Sequence, residues 1–407
     1  MAYLASICAI FLPVPLVFAQ AQFHWIPAPP GGSQAEVFSL SADGAAAVGS
    51  YLYPGGRRHS FRWTLDQGSI DIGGAIELVG DATGVSGGGI VVVGFGTFEG
   101  SLSSWRWTQE TGLARLPGAP NGGLVIPTAA SEDGLVIAGI LFGGSTGAFR
   151  WTEGMGYQNI PAPDVNPIIL AISGDGSTVV GTCGSGGPAA FLWRPNTGPI
   201  ELPLVFPEWY VGFGTIRNAG LSYTGRYVAG VTGTTASRYD VSTDTLTLLA
   251  WPDGSPVTGR ATGVTADGSI VVGDLASVGS FLWTEGLGAR TISDVLRNDY
   301  GLTESIGSPR GISADGSVIV GTNSIAILRE PAYYRGRPPC QGDVDGDQRV
   351  GLSDLLFVLG EWRRPEPDLG ADITGDGIVD QLDLNIVLVD FGDDCARRRV
   401  QSAGPRP

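Results

Sequence analysis

Seven segments of this chain repeat one pattern, and the length of the repeat restricts the fold more than any other feature. Each segment has a short apolar start, a small polar residue, an Asp-Gly-like turn and a run of β-branched residues ending in glycine. The closing glycines are Gly49, Gly94, Gly139, Gly181, Gly230, Gly273 and Gly321, at intervals of 45, 45, 42, 49, 43 and 48 residues. Gly263 to Gly273 and Gly311 to Gly321 are the clearest copies. Such a period marks a propeller or a solenoid.

Two further landmarks recur. The first is an aromatic strand, as in Phe61-Arg62-Trp63-Thr64, Trp105-Arg106-Trp107-Thr108, Phe149-Arg150-Trp151-Thr152, Phe191-Leu192-Trp193 and Phe281-Leu282-Trp283-Thr284. The second is a segment ending in Leu116-Pro117, Ile160-Pro161 or Leu202-Pro203. Asp-Gly between two apolar runs predicts a hairpin, with both turn residues expected at positive φ. One period therefore holds about four strands, the content of a propeller blade. Runs such as Ile90 to Val93 and Val318 to Val320 have no polar face, as expected of strands sandwiched between sheets.

The fifth copy departs from the pattern, with Tyr223-Thr224-Gly225 at its turn and Arg238-Tyr239 in its aromatic strand. The seventh has no Phe-x-Trp strand, while Phe23-His24-Trp25-Ile26-Pro27 stands alone at the other end. The expected fold class is all-β: a closed seven-bladed β-propeller over residues 22–335, its N-terminal strand completing the last blade and removing an open sheet edge. This region of about 310 residues resembles the extracellular repeat family named for its His-Ala-Phe motif, carried here by His59-Ser60-Phe61 and Gly147-Ala148-Phe149. That resemblance implies no catalytic residues.

Charge separates a second unit from the ring. Residues 340–395 hold 14 acids against 3 arginines, or 11 of the chain's 16 net negative charges. A nucleic-acid partner is excluded, because phosphate binding needs a basic face. Within this unit two twelve-residue loops match the calcium pattern, which places oxygen ligands at positions 1, 3, 5, 7, 9 and 12. The first offers the carboxylates of Asp343, Asp345, Asp347 and Asp354 and the carbonyl of Arg349, with a water needed at Gly351. The second offers Asp372, Asp376, Asp380 and Asp383, the Thr374 hydroxyl or a water it bridges, and the Ile378 carbonyl. Two calcium ions are the implied cofactors. Position 12 is Asp where the EF-hand has Glu, and Gln348 replaces the turn glycine of loop one.

Val350 and Val379 share position 8, where the loops are expected to pair. A helix is predicted after each loop, with Leu355, Leu359 and Trp362 on one apolar face and Leu384, Leu388 and Phe391 on the other. Loop then helix, twice, from Cys340 to Cys395 resembles the type I dockerin. The resemblance implies a small α-helical domain that attaches secreted proteins to cohesin modules. Positions 10 and 11, which carry recognition in that family and are often Ser-Thr, are here Leu352-Ser353 and Gln381-Leu382. The implied partner is therefore a cohesin-like or other surface protein.

Residues 1–21 carry an apolar run, Leu4 to Phe18, broken by Pro13 and Pro15 and followed by Ala19-Gln20-Ala21. The run is too short to span a membrane and suits a secretory signal peptide, so an extracellular or cell-surface location is expected. In an oxidising compartment Cys340 and Cys395 would close the acidic unit with a disulfide, leaving Cys183 as a buried thiol. Residues 396–407, with Arg397-Arg398-Arg399, read as a disordered tail.

Catalytic signals are sparse. His24 and His59 are the only histidines, both in strand motifs where a structural role is expected. Asp43, Asp133, Asp175, Asp267 and Asp315 fall in hairpin turns that account for them, and the inner strands are expected to carry no acid. Asp81, Glu99 and Glu208 remain as candidates to line a pore mouth, and Trp209 and Tyr210 as candidates to stack on a glycan. The expected function is non-enzymatic: a secreted calcium-binding protein with a propeller for binding or surface assembly and a dockerin-like module for attachment. The alternative is a polysaccharide hydrolase or lyase, which needs two carboxylates ~5–9.5 Å apart across a cleft.

Overall fold

The computed structural model describes residues 21–73, 78–98, 100–119, 122–143, 147–184, 189–206 and 220–328, and toward the C-terminus residues 344, 350–363, 371, 373 and 378–390. The first group forms seven four-stranded antiparallel sheets, one per repeat. Blade one is typical, with strands Ser33–Leu40, Ala46–Tyr53, Arg57–Thr64 and Gly68–Asp71 in sequence order. Blade seven takes Pro309–Ile312, Val318–Gly321 and Ser324–Ile327 from one end of the propeller and Gln22–Trp25 from the other. Trp25 lies opposite Ser324 and Gln22 opposite Ile327, so the N-terminal strand closes the ring as expected.

The turn joining the first two strands is built alike in most blades. In blade one Asp43 Oδ1 accepts from Ser41 Oγ (2.6 Å) and Ala45 N (3.0 Å), while Ser41 Oγ accepts from Ala46 N (2.9 Å). Ser131 with Asp133, Ser173 with Asp175, Thr265 with Asp267 and Ser313 with Asp315 repeat the arrangement. Only the glycine takes positive φ, 72° at Gly44 and 76° at Gly316. This corrects the expectation of two left-handed residues. The aspartate instead fixes the turn by bonding the backbone two residues on, and glycine supplies the single left-handed position that returns the chain to the sheet.

The closing glycines answer a packing demand. A Cβ on Gly273 would lie 2.0 Å from Arg260 O and 2.7 Å from the Phe281 ring, and one on Gly139 would lie 2.1 Å from Ile126 O. Each aromatic strand thus lays its first ring across the bare backbone of its neighbour. Phe61, Trp105, Phe149, Phe191 and Phe281 are all fully buried. Each such ring stabilises the blade by roughly 1.5–3 kcal/mol. The core lies between blades: Val48 of blade one packs with Val92, Trp105 and Trp107 of blade two, and Val93 of blade two with Phe149 and Trp151 of blade three. Val91 to Val93 are buried as predicted, but Ile90 is 64% exposed because it still belongs to the turn.

Arginines of the aromatic strands join successive blades. Arg62 Nε donates to Gly89 O (3.0 Å), Arg150 Nε to Gly176 O (2.9 Å), Arg194 Nη2 to Gly225 O (3.0 Å) and Arg238 Nη1 to Gly268 O (2.5 Å). Each acceptor is a turn glycine of the next blade. Blade five therefore keeps the architecture despite its altered sequence. A helix, Ile292–Tyr300, joins blades six and seven, capped by Thr291 at its start and by Gly301 (φ 70°) at its end.

In the C-terminal unit helices span Leu352–Gly360 and Gln381–Asp390. Val350, Val358, Ala371, Val379 and Val387 form its core. The position-8 valines meet there, although among the described residues no strand joins them. The buried helix faces match the predicted ones in part: Leu355 and Leu384 pack against this core, but Val358 and Val387 point inward while Leu359 (45%) and Leu388 (49%) are exposed. Among the described residues no helix is long and apolar enough to cross a membrane.

Candidate functional site

Three places concentrate polar chemistry: the two mouths of the central channel and the C-terminal loops. The channel encloses about 130 Å³ and is walled by apolar residues of the first strands, from Leu40 and Val85 to Ile172, Leu221 and Ile312. At the mouth nearest the Ser-x-Asp-Gly turns the x residues bond to one another around the ring. Gly87 N donates to Glu132 O (2.9 Å), Glu132 N to Gly174 O (2.8 Å), Gly174 N to Tyr223 O (2.7 Å), Ala266 N to Ala314 O (2.8 Å) and Ala314 N to Ala42 O (2.7 Å). Side chains bridge the remaining gaps: Thr224 Oγ1 donates to Ala266 O (3.0 Å), and Asp43 Oδ2 accepts from Gly88 N (2.7 Å).

Five of these x residues are Ala or Gly, so Glu132 and Tyr223 stand out. Both line the channel mouth. Burial pushes the Glu132 carboxyl up to about 7, helped by the negative charges of Asp43, Asp380 and Asp133. Burial likewise raises the Tyr223 phenol far above its ordinary range. The sequence carried a usable signal here, because a Glu or Tyr where other copies have Ala or Gly serves no turn.

The opposite mouth carries an arc of ion pairs that the repeat pattern hides. Glu36 and Asp81 lie on first strands, correcting the expectation that these carry no acid. Glu36 Oε1 accepts from Arg310 Nη2 (3.1 Å), and Asp81 Oδ1 accepts from Arg58 Nε (2.9 Å). Arg58 Nη2 also donates to Ser50 Oγ. Asp274 Oδ2 completes the arc by accepting from Arg260 Nε (3.1 Å) and Ser308 Oγ (2.7 Å). In register, Glu36 opposite Ser50 and Arg260 opposite Asp274 correspond to Ile126 opposite Ile140 in blade three. Blades six, one and two thus carry charge where blade three is aliphatic, and blade seven adds Arg310 from the bulge after Pro309. Of the suggested pore-mouth acids Asp81 is in place, while Glu99 and Glu208 lie outside the described residues, as do Trp209 and Tyr210.

The expected structural residues behave as such. His59 is buried, stacks on Tyr53 at 4.4 Å and lies 3.5 Å from Asp71 Oδ2. His24 Nε2 meets Gln22 Oε1 at 3.0 Å. Cys183 is a free, buried thiol whose pKa burial raises.

Of the calcium residues, Asp343, Asp345, Asp347, Arg349, Asp372, Thr374 and Asp376 lie outside the described residues, as do Cys340 and Cys395 and the signal and tail segments 1–20 and 391–407. Asp354, Ile378, Asp380 and Asp383 are described. The position-12 carboxylates, Asp354 and Asp383, are both 0% exposed. In each loop the position-9 N–H donates to the position-12 carboxylate, Gly351 N to Asp354 Oδ2 (2.8 Å) and Asp380 N to Asp383 Oδ2 (2.9 Å). Asp354 Oδ1 also accepts from Val344 N (2.8 Å). This matched, inward placement of two carboxylates fits a hard cation with oxygen ligands. Among the described residues no three acidic, His or Cys side chains gather as a metal group.

No protein-family model matches the chain, and no curated protein does. Solved structures that it is similar to include TolB from Acinetobacter baumannii, at 17% identity and a TM-score of 0.39 over 53% of this chain and 54% of that one. The chain thus spans about half the length of TolB. Oligogalacturonate lyase from Vibrio parahaemolyticus is similar at 13% identity and a TM-score of 0.47, over 76% of this chain and 97% of that one. A chain of the mitotic checkpoint complex is similar at 10% identity and a TM-score of 0.47, over 80% and 99%. None of the three likenesses bears on activity or ligand.

Proposed function

We propose that this chain is an exported, non-enzymatic calcium-binding protein, its propeller acting in binding or surface assembly and residues 340–395 acting as a dockerin-like attachment module. The matched burial of Asp354 and Asp383 carries the reading. Two carboxylates taken fully out of water need compensating charge as well as hydrogen bonds; backbone N–H groups supply hydrogen bonds, and a bound cation at each loop would supply the charge. Asp354 with Asp343, Asp345, Asp347 and the Arg349 carbonyl would hold one ion. Asp383 with Asp372, Asp376, Asp380, Thr374 and the Ile378 carbonyl would hold the other. Attachment to a cohesin-like or other surface protein then depends on loading, because the metal helps to fold a unit too small for a large core.

Calorimetric titration of the full chain with calcium tests this. Two ions should bind, and Asp354→Ala or Asp383→Ala should each abolish one. A flat titration would refute the reading.

The Glu132 carboxyl, held near 7 at a channel mouth, also suits a general acid and so favours the polysaccharide hydrolase as a second reading. Its required partner is the weak point, since Asp43 is already engaged by Gly88 N and the turn. Turnover on a polysaccharide panel that disappears in Glu132→Gln would establish the enzyme.

A further inference from the structure

The cavity beside the arc of ion pairs is the place where polar groups exceed what the fold requires. It encloses about 250 Å³ at the seam between blades seven and one, and its walls include Gln34, Glu36, Ser50, Tyr51, Arg58 and Thr322. The repeats serve as an internal control for what this place needs structurally. The pair corresponding to Glu36 and Ser50 is Ile126 and Ile140 in blade three, and that blade closes its sheet equally well. Charge in blade one is therefore an addition to the fold.

The backbone here is also unlike that of the other blades. First strands commonly share one bulge near the channel, but that of blade one has a second, between Ser33 and Glu36, where Gln34 and Ala35 together oppose Tyr51. Gln34 takes φ 52°, a left-handed conformation that disfavours a residue with a Cβ. Bulges and such strained residues gather where a chain must aim groups at a ligand.

Each charged side chain is anchored, Glu36 by one partner and Arg58 by two, and keeps capacity for another. Glu36 Oε1 accepts from Arg310, so Oε2 remains as an acceptor. Arg58 uses Nε on Asp81 and Nη2 on Ser50, so Nη1 remains as a donor. An anchored acceptor and an anchored donor on one cavity match adjacent hydroxyls of a sugar ring, each of which both donates and accepts. The arginines are neutralised by Asp81 and Glu36, so the site selects for hydroxyls over free anions. At about 250 Å³ the cavity falls below the ~300–1,000 Å³ of drug-sized pockets and suits a single ring.

We infer that this cavity is a binding site for one neutral sugar residue of a glycan, with Glu36 accepting from and Arg58 donating to neighbouring hydroxyls. The inference deepens the binding role given to the propeller and is independent of calcium in the C-terminal loops.

Saturation-transfer NMR on the full chain with methyl glucopyranosides, methyl α-mannopyranoside, methyl β-galactopyranoside and galacturonic acid tests it. At least one neutral glycoside should bind. Arg58→Leu should weaken that binding at least tenfold, and Leu52→Trp, which fills the cavity without removing a charge, should abolish it at an unchanged melting temperature. Glu36→Gln tests the acceptor, with Leu52→Trp as the reference if loss of the Arg310 partner disturbs folding. Binding that survives Leu52→Trp would overturn the cavity while leaving the propeller a binding protein. No binding by any neutral glycoside, or binding by galacturonic acid alone, would overturn the sugar assignment and leave the calcium module untouched.

Discussion

Glu132 shows how much a single residue can be read against its own repeats. Five of the seven blades place Ala or Gly at its position, where the backbone needs only room to bond the next blade. Its carboxyl is held near 7, so the folded protein keeps a proton that the unfolded chain gives up near pH 4.5. The stabilising effect of that proton is complete below about pH 4.5 and is lost as pH rises through 7. Glu132→Gln removes the ionisation and should leave stability at pH 4 unchanged. At pH 8 it should stabilise by about 1–2 kcal/mol after allowance for solvent screening, read as a higher midpoint in urea. Equal midpoints at pH 8 would show that the carboxyl is ordinary.

The closing glycines make the opposite demand. Gly273→Ala drives a methyl toward the Arg260 carbonyl and the Phe281 ring and should cost about 3 kcal/mol. Gly68→Ala, at φ 67° with nothing within 4 Å, should cost only the ~1 kcal/mol of its left-handed backbone. Thermal melts of the two variants separate packing from conformation.

Among the elements, the strand Gln22–Trp25 tests whether closure stabilises the ring. It covers the edge of Ser324–Ile327, and Ile26 beyond it is 3% exposed among Val37, Phe61 and Val320. Deleting residues 22–30 should lower the melting temperature of the whole ring by roughly 5–10 °C in one transition. A truncated chain that melts with the parent would show that the ring does not depend on its closing strand.

Elements of this kind were legible because they recur. The glycine period set the blade number, and the orphan Phe23-His24-Trp25 strand pointed to the closure. The arc of ion pairs was not legible, since Arg310 and Glu36 lie 274 residues apart and meet only when the ring shuts. The helix faces of the C-terminal unit were legible only in part, with Leu355 and Leu384 placed and Leu359 and Leu388 misplaced, for another reason. Leu352, Leu355, Leu356, Val358 and Leu359 offer several apolar stripes, and hydrophobicity alone does not choose among them. The buried carboxylate chooses: Asp354 points inward and brings Val358, four residues on, with it, and Asp383 does the same for Val387. A polar group fixed the rotation of each helix.

For the whole molecule, the two units draw stability from different sources. The ring has seven apolar clusters between its blades, so it needs no ligand to fold. Among the described residues the C-terminal unit has one small valine-rich cluster and turns two carboxylates inward. A unit of only about 55 residues should gain much of its stability from whatever neutralises those acids. Excess EDTA should therefore melt the C-terminal helices well below the ring, giving two transitions by far-ultraviolet dichroism where calcium-loaded protein holds the first closer to the second. Calcium should restore the lower transition, and magnesium should do so poorly, because it demands a tighter octahedral shell than Asp-rich flexible loops provide. A melting profile indifferent to chelator and metal would mean that the inward carboxylates are satisfied by the protein alone, and the loops would then be turns and not sites.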